Sequence, residues 1–289
     1  MPIFDIFLLE AVLNGVLFGG VLALLALGLN LIFGVIDVVW ICYAELMMIG
    51  MYAVYFLYVD YGVPLFAAFA LCILLVALLG AAMHHLVIRP ILGSEPINQL
   101  LVTGGMLFFL QALATLLFGI EFRNIGLSLP SFTMGDIYLP MSRIYAAGTA
   151  LVAMLGIWLF LKETYLGIAI RAISQDRGVM PLMGVDANRI YLLTSAIGGG
   201  LAGLGACLLV LQYDVHPSIG PSFGPITFMV CVMGGLGNLV GGFIAAFIFA
   251  QFISVGGIIF DLEWGYVMAF AFFIVMMFAR PQGLLGTRS

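Results

Sequence analysis

Charged residues are scarce in this sequence. Only 8% of its 289 residues are charged and 64% are hydrophobic, whereas a soluble domain carries about 25% charged residues because its surface faces water. Long apolar runs repeat along the whole length, so most of the surface must face lipid. We expect a single membrane domain over residues 1–289, and the absence of any basic stripe argues against nucleic acid as a partner.

Lysine is almost absent, which excludes one source of energy. Lys162 is the single lysine, and Glu163 follows it. A P-loop requires the pattern GxxxxGK[ST], in which the lysine contacts nucleotide phosphates. The sequence therefore has no ATPase site of this kind, and the enzyme patterns HExxH and GxSxG are also missing. We expect a protein that is not an enzyme and that takes its driving force from elsewhere.

Patterns for metal binding and disulfides are missing as well. The four cysteines show no CxxC spacing and lie in apolar surroundings, which favours free buried thiols. His84 and His85 end a predicted helix, where a cation complements the helix dipole, and no second ligand pair lies at metal spacing. We expect no metal and no cofactor bound by this chain.

The N-terminal segment is not typical of a secretory signal. It lacks a basic region and carries Asp5 and Glu10 instead. Its apolar run continues from Ala11 to about Ile36, which is too long for the apolar part of a signal. This run therefore predicts the first membrane span.

The apolar runs predict an all-α, polytopic helical bundle of about eight spans, since each span needs about 20 apolar residues. Predicted helices lie near 9–34, 42–58, 63–87, 97–119, 143–161, 189–212 and 262–279. A further apolar stretch, 224–258, is interrupted by glycines at 234, 235, 237, 241 and 242. We expect this stretch to be broken or re-entrant.

Basic residues predict the orientation, because Lys and Arg favour cytoplasmic loops. The 162–189 connection contains four of them, the 88–96 connection contains Arg89, and the C-terminal tail contains Arg280 and Arg288. These regions are expected on the cytoplasmic side of a bacterial or archaeal inner membrane. The N-terminus and the connections near Asp60, 214–216 and 261–263 are then outside, with Arg123 in the 120–142 loop as an exception.

This orientation requires 224–258 to enter the membrane and return. The stretch is too short for two ordinary spans and a loop, but two short helices that meet at the glycines would fit. Broken helices with glycine interruptions indicate a solute path, because non-helical backbone at membrane depth must be satisfied by protein or by water in a cavity. Close packing of helices through small residues explains the same glycines equally well.

A second interruption lies between the first two predicted helices, where Asp37, Trp40, Tyr43 and Glu45 break an apolar stretch. A charge at the bilayer centre costs about 2.5–3.5 kcal/mol on insertion scales. Glu45 should therefore face protein or a cavity, or lie near the interface. A structural hydrogen-bonding role is the alternative.

The connection 162–189 predicts a short cytoplasmic helix over 167–177. Arg171, Ser174 and Gln175 would share one side of it, and Ala169, Ala172 and Ile173 the other. A short helix of this kind suits insertion into a groove on a soluble partner. A solvated connection that only sets the orientation is the alternative.

Ordered motifs along nearly the whole chain resemble the permease subunits of the branched-chain amino acid ABC importers, the LivH-like family. The residues that carry the resemblance are Asn14-Gly15, Ala23–Gly34, Glu45, Met48–Gly50, Arg89-Pro90, Thr164, Gly167, Arg171-Ala172, Asp176, Gly184-Val185, Gly234–Asn238, Gly241-Gly242 and Pro281–Gly286. Each motif is weak alone, and their order and spacing together make the match specific.

The resemblance implies a permease for branched-chain or other hydrophobic amino acids, or for related small polar solutes. It implies a second homologous permease subunit, two cytoplasmic ABC ATPase subunits that bind the ATP, and an extracytoplasmic solute-binding protein. The residues assigned to ATPase coupling are Gly167, Arg171, Ala172, Ser174, Gln175, Asp176 and Gly184. The residues assigned to the translocation path are Asn14, Tyr43, Glu45, Gly234, Gly235, Gly237 and Asn238.

One departure from the family pattern bears on the solute. The family usually has Asn-x-Ala-His-Gly before the glutamate, whereas this chain has Tyr43 and Ala44 in place of the last two residues. A different cargo follows if this region lines the path. A stand-alone ion-coupled carrier or channel is the competing hypothesis, and it is weakened because Glu10, Asp37 and Glu45 all lie near predicted helix ends.

Overall fold

The computed structural model describes residues 3–127, 131–134, 137–175 and 184–286. Within these ranges the chain forms a bundle of helices. The helices are α1 Ile3–Ile36, α2 Tyr43–Tyr55, α3 Leu65–Met83, α4 Arg89–Ile91, α5 Pro96–Phe118, α6 Met141–Glu163, α7 Tyr165–Gln175, α8 Ala187–Leu209, α9 Ile219–Gly234, α10 Leu239–Ile259 and α11 Leu262–Ala279. Single π-helical turns, Phe56–Asp60 and His84–Ile88, extend α2 and join α3 to α4.

Six helical segments among the described residues are long and apolar enough to cross a membrane. They are Phe7–Ile36, Leu65–Ile91, Pro96–Phe118, Met141–Glu163, Ala187–Leu209 and Leu239–Ile259, with two shorter apolar helices at Ile219–Gly234 and Glu263–Ala279. The chain is therefore a multi-pass helical membrane protein. The helix boundaries agree closely with those predicted from the apolar runs.

Helix α1 is the centre of the bundle, with 83% of its most apolar stretch buried. It is apolar on every side, as expected of a helix that is surrounded by others. Helix α10 runs antiparallel to α1: Ser254 donates to the carbonyl of Ala11 at 2.7 Å and the backbone N–H of Gly237 donates to Asn30 at 3.2 Å. Positions along the α1–α10 pair can therefore be used to compare the heights of other residues in the bundle.

The expected pair of short helices over 224–258 is wrong in one respect. Helix α9 begins at Ile219, before the predicted stretch, and α10 has 21 residues, which is long enough to cross. The two helices do meet at the glycines. Residues 235–238 form a tight turn in which Gly235 and Gly237 have positive φ angles of 99° and 80°.

A longer non-helical segment connects α1 to α2. Helix α1 ends at Ile36, and the next residue, Asp37, has a φ of 61°, in the left-handed region that Asp tolerates better than most residues. The chain then runs without helix to Cys42 beside α5, where Thr103 donates to the carbonyl of Val39 at 3.0 Å. Thr103 is the eighth residue of α5, so the 37–42 segment contacts α5 about two turns in from the first residue of that helix.

The one departure from all-α structure in the described residues lies in the 119–140 connection. Ser131–Met134 and Ile137–Pro140 form an antiparallel two-stranded hairpin, β1 and β2. Arg123 forms an isolated bridge with Val215, which ties this connection to the one between α8 and α9. The hairpin is peripheral and leaves the helical class unchanged.

The four cysteines Cys42, Cys72, Cys207 and Cys231 are buried and free. Cys72 and Cys231 direct their Sγ atoms at the helix carbonyls of Gly50 and Ala26, at 3.3 and 3.4 Å. These thiols act as small core residues, as predicted.

Candidate translocation path and coupling helix

A cleft of about 440 Å³ lies between the α1–α2 segment, α5 and α9. We call it the central cleft. Its walls are mostly apolar, with a few polar groups. The lining residues are Leu29, Trp40, Ile41, Tyr43, Ala44, Leu100, Leu107, Phe108, Gln111, Pro221, Gly224, Pro225, Thr227, Phe228 and Met229.

A proline within α9 leaves a backbone carbonyl without its helical hydrogen bond on the α9 wall of the central cleft. Pro225 lies inside α9 and has no N–H to donate, so the carbonyl of Pro221, four residues earlier, loses its helical partner. Thr227 Oγ1 is buried and has no hydrogen-bond partner among the described residues. An apolar cleft with a small number of such groups is the usual form of a small-molecule site.

Tyr43 begins α2 and reaches across to α8. Its hydroxyl donates to the carbonyl of Gly198 at 3.0 Å. Gly28 of α1 makes this possible, because a Cβ at that position would overlap the Tyr43 hydroxyl. Tyr43 thus connects three helices while its ring lines the central cleft.

Glu45 is fully buried, and neither carboxylate oxygen has a hydrogen-bond partner among the described residues. The carboxylate packs against Gly220 in the first turn of α9, where a Cβ would overlap it. Glu45 is also in the first turn of α2. Helix N-termini carry partial positive charge, so two helix dipoles face a carboxylate that the described residues leave without a cation.

The glycines at the α9–α10 turn allow close backbone contact. A Cβ on Gly234 would overlap the backbone of Gly241 and Gly242. The segment after α11 closes the turn: the N–H groups of Leu284 and Leu285 donate to the carbonyls of Met233 and Gly234, at 2.8 and 3.4 Å.

Asn238 belongs to the same structure. Its Oδ1 caps α10 by accepting from the N–H of Gly241 at 2.9 Å, and its Nδ2 donates to the carbonyl of Leu285 at 2.7 Å. Both groups of the amide are therefore committed to holding the turn.

Asn14 lies apart from the other predicted path residues. Its Oδ1 accepts from Arg143 of α6 at 2.9 Å. It is separated from Gly34, which contacts Gly237, by 20 residues or about 30 Å of helix at 1.5 Å per residue.

The structure thus distributes the predicted path residues over three levels of α1. Tyr43 and Glu45 lie together beside α9, whereas Asn14 and the Gly234–Asn238 turn lie toward opposite ends. Sequence reasoning missed Pro225, Thr227 and Gln111 of the central cleft. The position of Pro225 inside an apolar helical run was the signal that could have indicated the central cleft.

Helix α7 begins at a sharp turn after α6. Thr164 caps it by accepting from the N–H of Gly167 at 3.0 Å, while its hydroxyl donates to the carbonyl of Phe160 at 2.6 Å. Gly167 packs directly on the end of α6, because a Cβ there would overlap Phe160 and Leu161. The direction of α7 is therefore fixed by backbone contact.

Helix α7 is amphipathic, as predicted. Gly167, Ala169, Ile170 and Ile173 are buried against the bundle, and Ala172 is partly buried. Arg171, Ser174 and Gln175 are exposed. The outer face also presents Tyr165, Leu166 and Ile168, with exposed fractions of 76%, 40% and 49%.

Two predicted coupling residues lie near or beyond the end of α7. Asp176 lies outside the described residues. Gly184 is exposed in a turn with φ of 78°, two residues before Asp186, which caps α8 by accepting from the N–H of Asn188 at 3.0 Å.

A buried central helix, a cleft beside a broken segment and an exposed amphipathic helix together define a polytopic membrane permease. The family described as branched-chain amino acid transport system / permease component matches residues 11–277. The chain belongs to this family, and it is a permease subunit of an ABC importer.

Relatives match over nearly full length. The high-affinity branched-chain amino acid transport system permease protein BraD of Pseudomonas aeruginosa is 30% identical, covering 96% of this chain and 95% of BraD. The corresponding protein LivH of Escherichia coli is 28% identical, covering 97% and 96%. A chain of the solved structure of PsaBC from Streptococcus pneumoniae in complex with Fab shares the fold, with a TM-score of 0.52 at 16% identity, covering 93% of this chain and 91% of that one.

Proposed function

We propose that this permease carries branched-chain or other hydrophobic amino acids into the cell. The observation that carries the proposal is the full-length match to permeases whose names specify branched-chain amino acid transport. The predominantly apolar central cleft, with its few polar groups, suits a solute with an aliphatic side chain.

The proposed assembly contains a second permease subunit, two cytoplasmic ATPase subunits and an extracytoplasmic solute-binding protein. ATP is bound and hydrolysed by the ATPase subunits, since this sequence contains no P-loop. The chain itself binds no cofactor in this proposal. Energy reaches it only through differential contact with the ATPase in its two nucleotide states.

In the proposed topology, eight helices cross the inner membrane, namely the six long ones together with α9 and α11. The non-helical segment 37–42 followed by α2 supplies the return pass after α1. The total of nine passes is odd, so the two termini lie on opposite sides in this proposal, and the basic residues of the C-terminal tail favour its placement inside and the N-terminus outside. Helix α7 is then cytoplasmic, in agreement with the basic residues of 162–189.

The proposed path runs along the central cleft past Tyr43 and Glu45. The discontinuous segment before α2 and the proline in α9 make this the region where helices can change their packing. The Gly234–Asn238 turn would act as a fixed pivot at the inner ends of α9 and α10, because hydrogen bonds hold it from both sides.

In the proposed coupling mechanism, the exposed face of α7 inserts into a groove on the ATPase. Tyr165 and Ile168 would supply apolar contact, and Arg171 would supply charge. Arg171 is exposed, and its guanidinium donates to the carbonyl of Lys162 at 3.4 Å. The Gly167 contact with α6 would transmit the movement of α7 into the bundle.

Arg171→Glu is expected to abolish docking while leaving membrane insertion intact, because charge reversal on an exposed residue leaves the packing of α7 unchanged. We expect recovery of ATPase subunits with the tagged permease to fall at least about tenfold, as for a lost charged interface contact. Solute uptake should fall in parallel.

The matched control is Arg189→Glu. Arg189 is exposed on the same side of the bundle in the first turn of α8 and forms a surface ion pair with Asp186 at 3.2 Å. The Arg189→Glu variant should leave ATPase recovery and solute uptake within about twofold of the unsubstituted protein, since exposed ion pairs contribute about 0.2–1 kcal/mol. Normal uptake by Arg171→Glu would exclude α7 as the coupling element. Ion-driven uptake by this chain alone in liposomes would favour a stand-alone carrier.

A further inference from the structure

A second cavity, of about 520 Å³, lies where the α8–α9 connection meets α9 and α11. We call it the outer cavity. It is lined by a different set of α9 residues from those that line the central cleft. The lining residues are Phe122, Tyr213, Asp214, His216, Ile219, Ser222, Phe223, Ile226, Tyr266 and Phe270.

Aromatic rings form most of the wall of the outer cavity. Tyr213 and Phe223 meet edge to face with their ring centroids 5.4 Å apart, and Phe122 lies 4.5 Å from the His216 ring. Such walls bury aliphatic groups and also attract cations through the ring faces. The cavity therefore suits a ligand that combines an aliphatic group with a cationic one.

Asp214 supplies a negative charge at this cavity. Its Oδ1 accepts from Asn124 Nδ2 at 2.6 Å, and among the described residues no cation lies within ion-pair distance of it. The nearby guanidinium of Arg123 is engaged elsewhere: it donates to the carbonyl of Phe118 at 2.7 Å and lies over the rings of Tyr55 and Phe56. The carboxylate can therefore accept an ammonium group from a ligand.

The lining of the outer cavity also includes Tyr213 and Tyr266, whose hydroxyl groups are hydrogen-bond donors, and the positive charge of Arg143 acts on Tyr213. Burial raises the pKa of Tyr213 to about 12, and Tyr266 adds to this rise while the positive charge of Arg143 opposes it. Tyr213 therefore keeps its proton at neutral pH. Partial burial lowers the pKa of His216 despite the opposing effect of Asp214, so the imidazole is neutral there.

We propose that the outer cavity is a loading site for an α-amino acid with an aliphatic side chain, whose ammonium group binds Asp214 and whose side chain packs on Phe122 and Phe223. The carboxylate faces the Tyr213 and Tyr266 hydroxyls on the Arg143 side. This inference rests on the proposed function for the identity of the solute. It adds a binding site on the permease itself, separate from the central cleft.

The test uses the full chain in nanodiscs without the solute-binding protein. Radiolabelled leucine is the probe, and 4-methylpentanoate, which lacks the ammonium group, is the competitor. Asp214→Asn removes the charge but keeps an oxygen for Asn124. We expect it to weaken leucine binding about tenfold, the value of one charge-assisted hydrogen bond, and to leave competition by 4-methylpentanoate unchanged.

Asp60→Asn is the control, because Asp60 is an exposed acid in another connection predicted to be outside. It should leave the binding of both compounds unchanged. Equal leucine binding by Asp214→Asn and the unsubstituted chain would overturn the loading site, as would an equal loss for both compounds. Leucine uptake by the complete importer separates the two proposals: failure of uptake overturns the proposed function, whereas normal uptake without Asp214-dependent binding overturns only the loading site.

Discussion

Glu45→Gln is expected to make the protein more stable and less active. The buried carboxyl group has no hydrogen-bond partner among the described residues, and its desolvation costs several kcal/mol, which the two helix dipoles that face it offset only in part. Glutamine has nearly the same shape without the charge. We expect the unfolding midpoint in detergent to rise by about 3 °C or more.

Transport by the same variant should fall at least about tenfold if Glu45 lines the path, because an ionisable residue within a membrane protein marks a functional site by default. Glu95→Gln is the control, since Glu95 is exposed before α5 and should change neither property. Unaltered uptake together with lower stability would show that Glu45 is purely structural. The pair of readouts thus decides between the two roles that the sequence left open.

Gly234→Ala is expected to disrupt the turn between α9 and α10. Its Cβ would overlap the backbone of Gly241 and Gly242, and backbone cannot move aside as a flexible side chain can. Overpacking of a tight contact costs about 1–3 kcal/mol. We therefore expect a midpoint lower by several degrees, roughly 2–4 °C per kcal/mol, and a large loss of folded protein on size-exclusion chromatography.

Gly104→Ala provides a control of opposite sign. Gly104 lies inside α5, and among the described residues no atom comes within 4 Å of a Cβ placed there. Alanine is favoured over glycine inside a helix by about 1 kcal/mol, so this variant should be neutral or slightly stabilising. Equal behaviour of the two variants would mean that the glycines of the turn are not required for packing.

The sequence predicted the helices well because lipid imposes a simple rule. Each pass needs about 20 apolar residues, and polar residues such as Asp60 and Asp261 mark the ends. The rule fails where a segment is shorter than a pass. Helix α2 has 13 residues, followed by a π-helical turn, and periodicity could not show that 37–42 is non-helical and lies beside α5.

The candidate site was only partly predictable. Glu45 was found because a charge in an apolar run is conspicuous, and the amphipathic face of α7 follows from helical spacing. Sequence patterns offer no means of placing Asn14 and Asn238 at different levels, because their distance depends on how α1 packs against α10. The path role of all these residues remains a prediction, which the uptake measurement on Glu45→Gln addresses for Glu45.

The burial of α1 has a consequence for how the protein is made. The ribosome delivers this helix before all the others, since chains are synthesised from the N-terminus, and yet its final neighbours α8, α9 and α10 come from the second half of the chain. Until those neighbours arrive, α1 must be soluble in lipid on every side. Its surface, which is apolar along most of its length, therefore serves the nascent chain as well as the finished bundle.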